Sequence, residues 1–172
     1  ERNDLPSQER TDSYLLFPGC ESIGVKLREG RFEIKALRGA SETVRYGPDI
    51  TGRADTWVKW SHKLEDVDAW IKALGQEPDG WIRVKKKRWT RNFSLDTEKP
   101  EEARPNERPD EGCNVELTAV KAGGSNWWTL AFEAFGTANT LQRNLHLVAE
   151  HFFLKNAPPI PLYATNSCSY PV

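Results

Sequence analysis

Methionine is absent from all 172 residues, and the three cysteines, Cys20, Cys113 and Cys168, are odd in number and widely spaced. The missing methionine raises the expectation of a fragment or a processed form. No CxxC pair occurs, so neither a disulfide framework nor a zinc site is expected. His62, His146 and His151 show no H-x-H or H-x3-H spacing and are expected to be ordinary surface or interfacial residues. No apolar run approaches the roughly 18 residues of a membrane span. The opening ERNDLPSQER has no signal-peptide character, and the expected setting is cytoplasmic, with no membrane partner. An excess of one charge is lacking too: 24 Lys and Arg face 25 Asp and Glu. Nucleic acid held by bulk charge is therefore not the expected partner, and any anion site has to be local. Gly123-Gly124 is a turn signal, not a phosphate-cradling loop leading into a helix.

What is present is a run of strand signals in a chain that is 38% hydrophobic and long enough to bury one core. The expected organisation is a single domain. Strands are predicted over 12–17, 24–29, 31–37, 55–64 and 81–95, with a last hairpin formed by NVELTAVK and NWWTLAFEAFG. In GVKLREGRFEIKAL, residues 24–37, a Glu29-Gly30 turn joins two strands in which charge alternates with apolar residues. Side chains two apart share a face, so Lys26 and Arg28 stand with Glu33 and Lys35, while Val25 and Leu27 stand with Phe32 and Ile34. A solvated face is the ordinary account of such a charged set.

Two amphipathic helices are predicted. In the first, over 65–74, Val67, Trp70, Ile71 and Leu74 share one side; in the second, over 138–154, Leu141, Leu145, Val148, Ala149 and Phe152 do so, with Thr137 or Thr140 as the cap. Residues 96–112 combine three prolines with many charges and no large apolar residue, so a mobile loop is expected there. The tail from about 156, with Pro158, Pro159 and Pro161, is expected to run extended over the surface. Amphipathic helices need an apolar sheet face to cover. If they cover the Val25–Ile34 side and the sheet curls, the charged side becomes the interior of an antiparallel, tunnel-like barrel in a mainly β (α+β) fold.

These residues resemble the CYTH superfamily, the triphosphate tunnel metalloenzymes. Asp12-Ser13-Tyr14 is similar to the family's D-x-Y strand, Lys26-Leu27-Arg28 to its L-R-x-R-like strand, Glu33-Ile34-Lys35 to its T-x-K strand, and Val84 to Arg88 to its basic strand. Val115-Glu116-Leu117 and Phe132-Glu133-Ala134 resemble its acidic strands. No E-x-E-x-K strand stands ahead of Asp12, and Glu33 replaces a hydroxyl. The resemblance implies a polyphosphate or organic triphosphate bound along a charged tunnel by Lys26, Arg28, Lys35, Lys86 and Arg88. It also implies Mg2+ or Mn2+ at Glu116 and Glu133, with metal-dependent hydrolysis as the activity. On the alternation of the 81–95 strand alone, Lys85 and Lys87 compete with Lys86 and Arg88 for the inward parity; Ile82 and Val84 favour the latter pair. Glu116 and Glu133 have a second reading as cross-strand partners of basic residues. Two further functions fit the barrel: a non-catalytic binder of an anion, and a lipocalin-like binder of an apolar ligand.

Overall fold

The computed structural model describes residues 6–65, 80–104 and 107–168. It is mainly β, with strands β1 (Ser7–Leu15), β2 (Ile23–Arg28), β3 (Arg31–Leu37), β4 (Glu42–Arg45), β5 (Thr51–Ala54), β6 (Trp57–Lys63), β7 (Trp81–Ser94), β8 (Glu101–Glu102), β9 (Gly112–Ala122) and β10 (Ser125–Phe135), and one α-helix among the described residues, α1 (Leu141–Lys155). All seven predicted strands are present. The helix expected over 65–74 falls almost wholly outside the described residues. No described helix is long and apolar enough to cross a membrane.

The chain divides into two compact units. One comprises Glu1–Glu9, Lys87–Val120 and Trp127–Pro161; the other comprises Arg10–Lys86, Lys121–Asn126 and Leu162–Val172. In the second, the hairpin unit, the strand order is β7, β1, β2, β3, β6. Pairing of β1 with β2, β2 with β3 and β3 with β6 is antiparallel throughout. The β2–β3 hairpin turns on Glu29 (φ 48) and Gly30 (φ 73). Two successive positive-φ residues give the primed turn whose twist matches that of the flanking strands. It sets Lys26 opposite Glu33 and Val25 opposite Ile34.

A separate ribbon pairs β4 with β5; each strand has four residues, too few to display a period in the sequence. The proline-rich tail reaches it. Leu162 forms a parallel bridge with Ile50, and the Arg53 N–H donates to Ser167 Oγ at 3.0 Å.

In the other, helix unit, β9 lies between β10 and β7, and β8 pairs with β7. Helix α1 covers Phe93, Leu95, Cys113 and Val115 with Val148, and Leu130, Phe132 and Phe152 pack around them. The helix starts at Leu141, not at 138. Residues Thr137 to Thr140 form a turn instead, closed by the Thr140 N–H on the Thr137 carbonyl at 3.0 Å. Thr140 caps no helical N–H, because its hydroxyl is drawn to Glu111 Oε2 at 2.5 Å. Glu111 also accepts the Thr137 N–H at 2.9 Å and the fully buried Asn144 amide at 2.6 Å. Three neutral donors hold its carboxyl down to about 2, with the Thr140 hydroxyl contributing most.

The segment 96–112, expected to be a mobile loop, carries β8 and further backbone ties. Asp96 Oδ1 accepts the N–H groups of Asp110 and Glu111, and Arg91 makes two hydrogen bonds to Glu102 at 2.7 and 2.8 Å. Several of its acidic residues therefore work as local fasteners.

Candidate functional site

The hairpin unit inverts the usual use of a half-polar sheet. Glu33, on the charged parity, is 2% exposed, whereas Trp60, on the apolar parity opposite Ile34, is 56% exposed. The solvated-face account therefore does not hold here. On the apolar parity of this unit Ile23 and Trp60 face water, while Val25 is buried.

The charged side chains converge because each strand contributes alternate positions to one side of the sheet. Asp12 and Tyr14 come from β1, Lys26 and Arg28 from β2, Glu33 and Lys35 from β3, Lys59 from β6 and Lys86 from β7. Two buried carboxylates organise them. Glu33 receives Lys59 Nζ at 2.8 Å, Arg28 Nη2 at 3.0 Å and Lys26 Nζ at 3.1 Å. Fully buried Asp12 has Arg10, Lys86 and Lys26 within 3.6 to 3.7 Å of Oδ2. Lys26 is common to both sets, and within the Asp12 set the Tyr14 hydroxyl accepts from Lys86 Nζ at 2.6 Å and donates to Asp12 at 3.2 Å. The Lys86 ammonium also stands 4.8 Å from the centre of the Tyr14 ring, a cation–π distance.

Burial acts on these groups in opposite directions. At Glu33 desolvation raises the pKa, but hydrogen bonds from Lys59 and Lys26 and the charges of Lys26 and Arg28 outweigh it and bring the carboxyl down to about 2. At Lys26 desolvation dominates and lowers the ammonium below its ordinary value, against the raising effect of Asp12 and Glu33.

The cations outnumber the anions. Arg10, Lys26, Arg28, Lys35, Lys59 and Lys86 face Asp12 and Glu33, six against two. Lys35 lies directly opposite Lys59 on one side and Gly24 on the other. Like charges paired across strands are destabilising, and Lys35 has no ion pair of its own among the described residues. Unused guanidinium hydrogen-bonding capacity remains at the buried Nε atoms of Arg10 and Arg28.

Of the seven sequence-predicted site residues, Lys26, Arg28, Lys35 and Lys86 share this face. On β7, Lys86 is buried while Lys85 and Lys87 are exposed. Arg88 lies in the helix unit, where it donates to Glu116 Oε2 at 2.7 Å and to Gln8 at 2.9 Å. Glu116 also accepts the Thr118 hydroxyl at 2.7 Å, and so behaves as the cross-strand partner of a basic residue. Glu133 stands exposed on β10. Among the described residues no three His, Cys, Asp or Glu side chains are grouped to hold a metal ion. Asp12, Tyr14 and Lys59 were missing from the sequence-predicted set; the signal available was parity, since each alternates in phase with apolar or aromatic neighbours.

A second feature lies in the helix unit: a cavity of about 290 Å3 lined by Arg91, Phe93, Glu102, His151, Phe152 and Lys155 among others. Burial, with the charges of Lys155 and Arg91, lowers the His151 pKa. Comparison with family models, with curated proteins and with solved structures finds no match to this chain.

Proposed function

We propose that the charged face of the hairpin unit binds a small phosphorylated anion of the polyphosphate or organic triphosphate class, with that face as the inner wall of a barrel-like tunnel. The single observation that supports this most is the surplus of cations, above all Lys35 set opposite Lys59 across the strands. Five of the six already close on Asp12 or Glu33, and Lys35 is the one outside that network. Ammonium groups offer point charges and guanidinium groups planar forks, a combination suited to phosphate oxygens.

Among the described residues, the four carboxylates Asp12, Glu33, Glu116 and Glu133 do not fit a Mg2+ or Mn2+ site. Glu116 is engaged by Arg88 and Thr118, Glu133 is exposed, and Asp12 and Glu33 are each ringed by cations that would repel a metal. Metal-dependent hydrolysis therefore has less support in these residues than binding alone, as a carrier or sensor would bind.

Titration calorimetry with tripolyphosphate tests the reading. Binding that weakens with added salt is expected. Lys35→Ala is expected to lower affinity about tenfold or more, the loss of one charge-assisted contact of about 1.5–3 kcal/mol, without lowering thermal stability. No heat at millimolar tripolyphosphate, with or without Mg2+, would sink the proposal. Phosphate release in Mg2+ would instead make the protein an enzyme.

A further inference from the structure

The binding reading meets an obstacle inside its own site. Lys26, Arg28 and Lys59, three of the cations a phosphate would engage, already close on Glu33 at 2.8 to 3.1 Å. One carboxylate oxygen takes Arg28 and Lys59 and the other takes Lys26, which is how two oxygens of a phosphoryl group would be held. Glu33 cannot swing clear easily: it stands on β3 between β2 and β6, opposite Lys26 and Ser61, and is almost fully buried. Lys35, two residues along the same strand, is left with no anion.

We infer that Glu33 is a resident counter-anion occupying one phosphoryl position of the proposed site, so that a ligand competes with it for Lys26, Arg28 and Lys59 while anchoring on Lys35. This rests on the anion-binding reading and narrows the ligand. An anion with one phosphoryl group reaches only the Lys35 end, where Lys59 is already turned toward Glu33. An anion with two or more linked phosphoryl groups anchors on Lys35 and presents a second group to the cations of Glu33. The site therefore selects linked phosphates over orthophosphate. It also follows that the negative charge of Glu33 lowers affinity for every ligand, since the carboxylate both occupies the position and repels the incomer.

The test compares orthophosphate and tripolyphosphate on the full chain and on Glu33→Gln, which keeps the shape and an acceptor oxygen but removes the charge. The wild type is expected to bind tripolyphosphate at least tenfold tighter than orthophosphate, and Glu33→Gln to tighten tripolyphosphate by a further tenfold or more. A folded Glu33→Gln that binds tripolyphosphate no tighter than wild type overturns the inference and leaves the binding reading standing. If neither protein binds tripolyphosphate, both fall. Should Glu33→Gln not fold, the side-chain carboxyl carbon of Glu33 in the wild type decides by NMR. Its signal is expected to move on adding millimolar tripolyphosphate as its partners leave, and an unmoved signal overturns the inference.

Discussion

Glu33 in the hairpin unit and Glu111 in the helix unit are both held at about 2, by opposite means. Glu111 is held by neutral donors, two hydroxyl and amide side chains and one backbone N–H, each fixed at the start of α1. Glu33 is held by two lysines and an arginine. The difference separates a fastener from an exchangeable pair. Neutral donors aimed at one carboxylate offer little to another anion, while cations can pair with an incoming anion in place of a resident one. The same contrast runs through the two cores. Phe93, Leu95, Cys113, Val115 and Val148 make an apolar centre in one unit, and Asp12, Glu33 and Lys86 are among the most buried side chains of the other.

The largest effect should come from the apolar core. Phe93→Ala removes a side chain 2% exposed and is expected to cost about 3–5 kcal/mol in urea denaturation. A loss below about 1 kcal/mol would mean that packing under α1 is not what holds that unit. Next comes Lys86→Met, which takes one cation from fully buried Asp12 and is expected to cost about 3 kcal/mol. Most of that loss should vanish when Asp12→Asn is added, because the penalty is the uncompensated carboxylate. An equal loss in both backgrounds would assign it to packing of the lysine stem.

A titration of the two carboxyls sharpens the comparison directly. Both lie below the ordinary 4.5, so between 4.5 and about 2 the unfolded chain binds more protons than the folded one. Their stabilisation is complete above 4.5 and is lost as pH falls toward 2. Lys59→Met should raise the Glu33 value and leave Glu111 unchanged, and Thr140→Val should do the reverse, as read by NMR of the carboxyl carbons. If Lys59→Met leaves Glu33 at about 2, its cations are not what distinguishes it. The smallest effect is expected at Glu116→Gln, where a neutral acceptor can still serve Arg88 and Thr118 and the loss is about 1 kcal/mol by melting. Mg2+ should shift neither the wild-type nor the variant melting temperature; a wild-type shift abolished by the substitution would restore a metal role for Glu116.

Parity made much of this legible in the sequence. Alternation across Glu29-Gly30 placed Lys26, Arg28, Glu33 and Lys35 on one side, because a two-residue turn leaves little freedom of register. The phase of Ile82 and Val84 likewise favoured Lys86 and Arg88 over Lys85 and Lys87. Alternation cannot say which side chains are buried, and here Asp12, Glu33 and Lys86 of the charged parity are, which ordinary burial preferences would not suggest. Strands β4, β5 and β8 were illegible because two to four residues carry no period. The first turn of α1 was misplaced because its threonines answer to Glu111, 26 and 29 residues away in sequence. The pairing of Arg88 with Glu116 joins strands far apart in the chain, and composition gives no sign of which carboxylate a given arginine will meet.

The buried cysteine of the helix unit has a practical consequence. Only thiolates react at appreciable rates with alkylating reagents, and burial pushes the Cys113 thiol up to about 12 with its side chain sealed from water. Cys168 is exposed, and hydrogen bonds from Ser22 lower the thiol of Cys20. Two of the three sulfurs are thus open to reagent while the third waits on the parting of β9 from α1. Mass spectrometry of a labelling time course would therefore show two quick additions and one slow one, and the slow one is a stopwatch for spontaneous opening of the apolar core, built into the native chain with no probe attached.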